Sequence, residues 1–428
     1  MVARISARFC LVACLFSTTL SATLTGCAPW ASPSGAASVD TAKLDSYMQR
    51  VEADSRAGRI PGAVLLVMRD GQLVYRKAVG VQAPGNPKPM AADSIFRVYS
   101  MTKPIVSVAA LALVEEGRLG LMYPVSQYLP ELKGLQVGVE KTGADGKVTL
   151  ERVPARREMT VQDLLRHTSG LTYGAFGRSA VKDEYNKDGV SPGDPSVRYD
   201  NAELIRRVAK LPLAYQPGST WEYSISTDVL GAVLEKVSGQ TLDVLLAERI
   251  LKPLKMVDTA FWVAPDKQHR IAEPFATDPD SKQPVTLLDI RKPPPLLAGG
   301  AGLTSTADDY ARFGQMLANG GTLDGVRILS RKSVQWMTSD HTDGVRGPAY
   351  LPGPGYGFGL GVSVRLEDGQ SSTPGSRGDF SWGGYAGTLW WTDPVERLVV
   401  LWMAQGPGTS RSHRAHVRSI VYPALLSR

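Results

Sequence analysis

Hydrophobic positions along this chain are strand-like near both ends and helical in between. From Val39 to Ala57 the apolar residues Leu44, Tyr47, Met48 and Val51 share one helical face, and Gly58 to Pro61 ends that helix. Ala63 to Met68 and Gln72 to Val79 read as strands joined by Arg69-Asp70-Gly71, a hairpin signal. A second hairpin is predicted over Gln136 to Val153, turning at Gly143 to Gly146. Between about 155 and 345 helical patterns alternate with Pro/Gly loops; the predicted helices are Val161 to Arg166, Ala202 to Lys210, Thr227 to Val237, Leu242 to Ile250 and Ala307 to Asn319. Strand character returns at Tyr356 to Val364, Gly387 to Trp391 and Leu398 to Ala404, before a closing helix from His413 to Leu426. Strands at both ends around a helical middle predict an α+β fold. Its antiparallel sheet is assembled from the two chain ends and flanked by helices, with a mostly helical insertion over about 155–345.

Composition narrows the classes. The 428 residues are 43% hydrophobic and 21% charged, enough for a substantial core. The formal charge of +7 is spread along the chain and not gathered into a basic face, which argues against a nucleic-acid partner. No apolar run long enough to span a bilayer follows the first 30 positions. Arg4 and Arg8 precede an apolar stretch from Phe9 to Leu24, the layout of a secretory signal. It ends in Leu24-Thr25-Gly26-Cys27, which resembles the bacterial lipobox, whose cysteine carries the lipid. Residues 1–26 are therefore expected to be a signal peptide, Cys27 the lipidated first residue of an exported lipoprotein, and 27–38 a flexible tether. The three cysteines are Cys10, Cys14 and Cys27, so the body of the chain has neither thiol chemistry nor Cys-ligated zinc. No metal or cofactor is expected.

Ser100-Met101-Thr102-Lys103 places a hydroxyl and an amine on one face of a strongly apolar helix. The spacing recurs at Ser179-Ala180-Val181-Lys182, within a polar stretch expected to be a surface loop. Context favours Ser100, because a strand-like segment precedes it, Pro104 suits a first helical turn, and a helix N-terminus favours negative charge. A serine hydroxyl needs a neighbour to take its proton. Lys103 and Tyr223, the latter just before the helix through Val229 and Val233, are the candidates.

Ser100-x-x-Lys103, Tyr223-Ser224 and Trp382-Gly383-Gly384 occur in the order and rough spacing of the serine β-lactamase and penicillin-binding-protein superfamily, which the chain resembles. His167-Thr-Ser-Gly-Leu171, Ser238-Gly239 and Gly299 to Thr306 resemble landmarks of its class C branch. The resemblance implies a β-lactamase/transpeptidase-like fold, one serine hydrolase domain over 39–428, Ser100 as nucleophile, and Lys103 and Tyr223 sharing its proton. It also implies an oxyanion hole from the backbone N–H groups of Ser100 and Tyr385. Ile225 stands where class C enzymes have Asn, and Trp382 where they have Lys. With Gly383 and Gly384 these residues are expected to bind substrate through an apolar wall, as in the similar family VIII carboxylesterases. A short-chain ester is then the expected substrate.

Other readings differ in residues. A Ser-His-Asp hydrolase would need a Gly-x-Ser-x-Gly nucleophile elbow, and none is expected anywhere in the chain. His167 is expected to order a loop, and His413-Arg-Ala-His416 with its arginines to form a solvated basic helix face. A β-lactamase or D-Ala-D-Ala peptidase is the alternative within the same chemistry. A non-enzymatic cell-wall binding protein would have no use for Ser100, Lys103 and Tyr223 together.

Overall fold

The computed structural model describes residues 39–426 apart from position 409. The expected signal peptide, Cys27 and the tether lie outside the described residues. The main sheet has eight antiparallel strands. Their order is Tyr356–Phe358, Ser363–Arg365, Phe380–Gly383, Leu389–Asp393, Leu398–Ala404, Gly62–Arg69, Gln72–Ala83 and Asn86–Pro89. The two chain ends meet in its centre, where Leu65 faces Trp402, Leu66 faces Leu401 and Val67 faces Val400.

Alternation along these central strands separates two cores. Ala63, Leu65, Val67, Val400 and Trp402 point to one face, where they pack with Leu44, Tyr47, Met48 and Val51 of the helix Thr41–Arg56. Val417 and Val421 of the closing helix Ser410–Ala424 complete that layer. Val64, Leu66, Met68, Val399, Leu401 and Met403 point the other way, into a larger core shared with the helices of the chain's middle. Both faces are covered, which is why every residue of Gly62–Arg69 is buried.

Several expectations are corrected. Tyr356 to Val364 is two strands, because Gly361 turns the chain at φ 90° and Gly359 N–H bonds back to Val362 O. Ser179 to Lys182 is not a surface loop. Ser179 caps the helix Ala180–Lys187 by accepting from the Lys182 amide, and buried Lys182 ion-pairs with Glu222 at 2.9 Å. The closing helix is not a solvated basic face either. Arg418 is buried against Asp379 and over the Trp391 ring, and His413 meets Asp54 at 3.2 Å. No helix among the described residues is long and apolar enough to cross a membrane.

Candidate active site

A short ladder sets the nucleophile's position. Phe96–Arg97 pairs with Thr304–Ser305, and the chain then turns sharply through Tyr99, whose φ of 43° is left-handed and costly for a bulky residue. That turn is held by Leu288 N–H donating to Tyr99 Oη at 3.0 Å and by Tyr310 Oη donating to Met101 O at 2.7 Å. Ser100 lies in the tight turn Tyr99–Met101 that leads into the helix Thr102–Glu115. Pro104 falls in the first turn, where its missing N–H costs nothing.

Lys103 and Tyr223 converge on Ser100 Oγ, and Trp382 packs against Tyr223. Lys103, one helical turn on and fully buried, places Nζ 3.3 Å from Ser100 Oγ. Tyr223, at the entry to the helix Ser226–Ser238, places its hydroxyl 2.6 Å from the same oxygen. Trp382, on the strand Phe380–Gly383, has its ring centre 5.6 Å from that of Tyr223. Trp221, Phe358, Tyr173 and Tyr350 extend the aromatic packing, and Phe176 lies against Tyr223 at 5.8 Å. Lys103 is fully buried, so charge developing on Ser100 Oγ feels its ammonium strongly.

The Gly pair has a steric reason. A Cβ on Gly384 would lie 2.4 Å from Val98 O, so only glycine lets this strand end dock against the nucleophile turn. The docking brings Tyr385, the next residue, to the Ser100 turn, where its ring meets Tyr99 edge-on at 5.5 Å. On the other side of the pair, Arg414 Nη1 donates to Gly384 O at 3.1 Å, and a Cβ on Gly383 would meet Arg414 at 2.9 Å. Sequence reasoning missed this cation beside the site.

Ile225 is corrected. It is fully buried in the main core and presents no surface to a substrate. Its effect is confined to the absence of a polar group at that position. His167 is buried next to Tyr223, with Nδ1 3.2 Å from Ser224 Oγ and ring centres 5.0 Å apart. Burial and the Lys103 charge push it well below the usual histidine range, so it is neutral at neutral pH. The Gly-x-Ser-x-Gly spacing expected to be absent does occur, at Gly189-Val190-Ser191-Pro192-Gly193, but it lies in turns after the helix Ala180–Lys187 and follows no strand.

Two further residues went unassigned. Lys103 Nζ also donates to Tyr173 Oη at 3.1 Å and to Gly300 O at 2.8 Å. Asp228, buried, accepts the Gly300 N–H at 2.8 Å and lies 3.5 Å from Tyr173 Oη. Tyr173 stands two residues after the His167–Leu171 motif and Asp228 five after Tyr223, but neither spacing announces a contact with Lys103.

The Beta-lactamase family model matches residues 45–422. The chain belongs to the beta-lactamase family. Protein Rv1367c of Mycobacterium tuberculosis is 37% identical over 372 residues, covering 85% of this chain and 90% of that protein. Esterase EstB of Burkholderia gladioli is 33% identical over 388 residues, covering 85% and 91%. Among solved structures, EstCE1, a hydrolase with promiscuous acyltransferase activity, superposes with a TM-score of 0.73 at 28% identity, over 89% of this chain and 99% of its own. Simvastatin synthase (LovD) from Aspergillus terreus shares the fold at a TM-score of 0.73 and 22% identity, over 90% and 99%. The chain is thus a serine hydrolase of the esterase branch of the β-lactamase and penicillin-binding-protein superfamily.

Proposed function

We propose that this hydrolase is exported and cleaves short-chain carboxylic esters through an acyl-enzyme on Ser100. The observation that carries the reading is the position of Ser100 Oγ, 2.6 Å from Tyr223 Oη and 3.3 Å from Lys103 Nζ, with an indole instead of a cation on the adjoining strand. In acylation, Ser100 Oγ bonds to the ester carbonyl carbon as its proton passes to the Tyr223–Lys103 pair. The backbone N–H groups of Ser100 and Tyr385 receive the oxyanion, each contributing about 3–4 kcal/mol to lowering the barrier. The bond to the alcohol oxygen then breaks, and the alcohol leaves with the proton the pair has held. Water enters, gives a proton to the pair, and releases the acid from Ser100 by the same steps in reverse.

Trp382, packed on Tyr223, favours an uncharged acyl or alcohol group. A carboxylate near Trp382 would lose hydration without the amine that class C enzymes supply there, at a cost of roughly several kcal/mol. The second reading is a class C-like β-lactamase, and Arg414 beside Gly383 and Gly384 favours a residual activity of that kind. A panel of p-nitrophenyl acetate, butyrate and longer esters, set against nitrocefin and a D-Ala-D-Ala peptide, tests the choice. Esters should dominate by kcat/KM; a panel led by nitrocefin or the peptide overturns the esterase reading. The proposal of export includes a lipid anchor at Cys27, placing the mature enzyme on the cell envelope.

A further inference from the structure

Lys103 is an enclosed cation. All three of its donors are used, by Ser100 Oγ, Tyr173 Oη and Gly300 O, and it is fully buried. Among the described residues, no carboxylate lies within ion-pair distance of Nζ. A buried charge without a counter-charge is strongly destabilising. The negative charge that answers it lies one step further away, on Asp228, itself 1% exposed.

Two routes join them. Tyr173 Oη receives from Lys103 at 3.1 Å and lies 3.5 Å from Asp228 Oδ2. Gly300 offers its carbonyl to Lys103 at 2.8 Å and its N–H to Asp228 Oδ1 at 2.8 Å. A Cβ on Gly300 would sit 2.5 Å from Asp228 Oδ2, so the carboxylate approaches this closely only because the residue is glycine. The result is a closed ring, Lys103–Tyr173–Asp228–Gly300, in which Ser100 is, among the described residues, the one acceptor of Lys103 outside the ring. Distance matters here. A carboxylate in direct contact with Nζ would draw the amine away from Ser100, whereas one held behind a phenol and a glycine backbone supplies charge and leaves one donor aimed at the reacting oxygen.

We propose that Asp228, acting through Tyr173 and Gly300, is a positioning residue for proton transfer at Ser100: it fixes Lys103 on Ser100 Oγ and sets how tightly the Lys103–Tyr223 pair holds a proton. The inference rests on the reading of Ser100, Lys103 and Tyr223 as the reacting groups. The titratable groups around the ring are Lys103 on the nucleophile helix, Tyr223 and Tyr173, Tyr199 near Asp228, and His167 near Lys103. Burial raises the Asp228 carboxyl above its ordinary range, against which Lys103, the Gly300 N–H and Tyr173 favour the charged form.

Asp228→Asn keeps an acceptor for the Gly300 N–H and removes the charge. Its kcat for p-nitrophenyl butyrate should fall about tenfold or more, with KM within about twofold, and the acidic limb of its kcat/KM profile should move to lower pH. Tyr173→Phe breaks one route and should lower kcat in the same sense. The two variants are read side by side with circular dichroism, so that if one fails to fold the other decides. A folded variant with kcat/KM within twofold of the parent and an unmoved pH profile overturns the positioning role. Ser100→Ala separates the failures: if it still turns over substrate, the reading of the site itself has failed, whereas an inert Ser100→Ala beside unaffected Asp228→Asn and Tyr173→Phe variants rejects this inference alone.

Discussion

The hydroxyl of Tyr223 lies 2.6 Å from Oγ of Ser100, although the two residues stand 123 positions apart in the chain. The contact makes Tyr223 the nearest proton acceptor for the attacking serine, with Lys103 Nζ 4.7 Å from the centre of its ring to steady negative charge there. Tyr223→Phe keeps the ring packing and removes only the oxygen. Its kcat should fall by about 10²–10⁴, the usual span for a general base, while KM changes little. Stopped-flow acylation with p-nitrophenyl butyrate reads the step directly, and an unchanged burst rate would remove Tyr223 from the mechanism.

Ser100 and Ser179 share a spacing to lysine but not a role. Ser100→Ala should abolish turnover with the fold intact. Ser179→Ala should leave kcat/KM unaltered and lower stability by about 1 kcal/mol through loss of the helix cap. Mass spectrometry of the trapped acyl-enzyme locates the adduct; an acyl group on any other residue rejects the assignment.

Trp382 should decide between esters and β-lactams. On one enzyme preparation, kcat/KM for p-nitrophenyl butyrate should exceed that for nitrocefin by orders of magnitude, since each 1.36 kcal/mol of uncompensated desolvation is about a factor of ten. Trp382→Ala should raise KM for the ester while Ser100 still acylates. A larger loss in kcat than in KM would mean that the indole supports Tyr223 more than it binds substrate.

Asp309 gives the fold a pH dependence independent of the chemistry. Burial raises its carboxyl to about 7, despite hydrogen bonds from the Asp258 N–H at 2.7 Å and Thr259 Oγ1 at 2.8 Å. The folded state therefore holds a proton that the unfolded chain, with a carboxyl near 3.8, releases earlier. This contribution is complete below about pH 4 and is lost as pH rises towards 7. Asp309→Asn should raise Tm relative to the parent at pH 8, and the difference should shrink by pH 5. A Tm difference that does not vary with pH contradicts the assignment.

Cys27 carries the prediction about the cell. Cys27→Ser should abolish lipid attachment and release the enzyme from membranes, because several acyl chains anchor firmly and none remains. N-terminal mass and fractionation are the measurements. Membrane association that survives the substitution with an unaltered N-terminal mass refutes the lipoprotein reading.

What the sequence made legible follows from how local each signal is. The paired strands Gly62–Arg69 and Gln72–Ala83 show as apolar runs around Asp70-Gly71, and Ser100 and Lys103 sit one helical turn apart. Tyr223 was legible only through a motif, since nothing nearby in sequence points to Ser100. Tyr173 carried no motif, and Asp228 stood in the Tyr223 motif without a role, because the part of each is defined by a buried amine on another helix. Ile225 was misread because a motif position says nothing of which way its side chain turns, and this one enters the core. The helix capped by Ser179 was missed because its polar composition masks a buried face of Val181, Lys182 and Tyr185, where Lys182 is neutralised by Glu222 from a distant segment.

The pairing of Gly62–Arg69 with Leu398–Ala404 also makes the central sheet depend on segments more than 300 residues apart. The strand in the middle of the sheet has no neighbour on one side until nearly the last residues of the chain are present, and Trp382 and Gly384 reach the Ser100 turn only on strands that follow the helical middle. Contacts between such remote segments close slowly, because the loop entropy must be overcome before the pairing rewards it. A chain cut before Leu398 would keep Ser100, Lys103 and Tyr223 yet lack the sheet that holds them in register. The register of the central sheet thus depends on segments from remote parts of the chain.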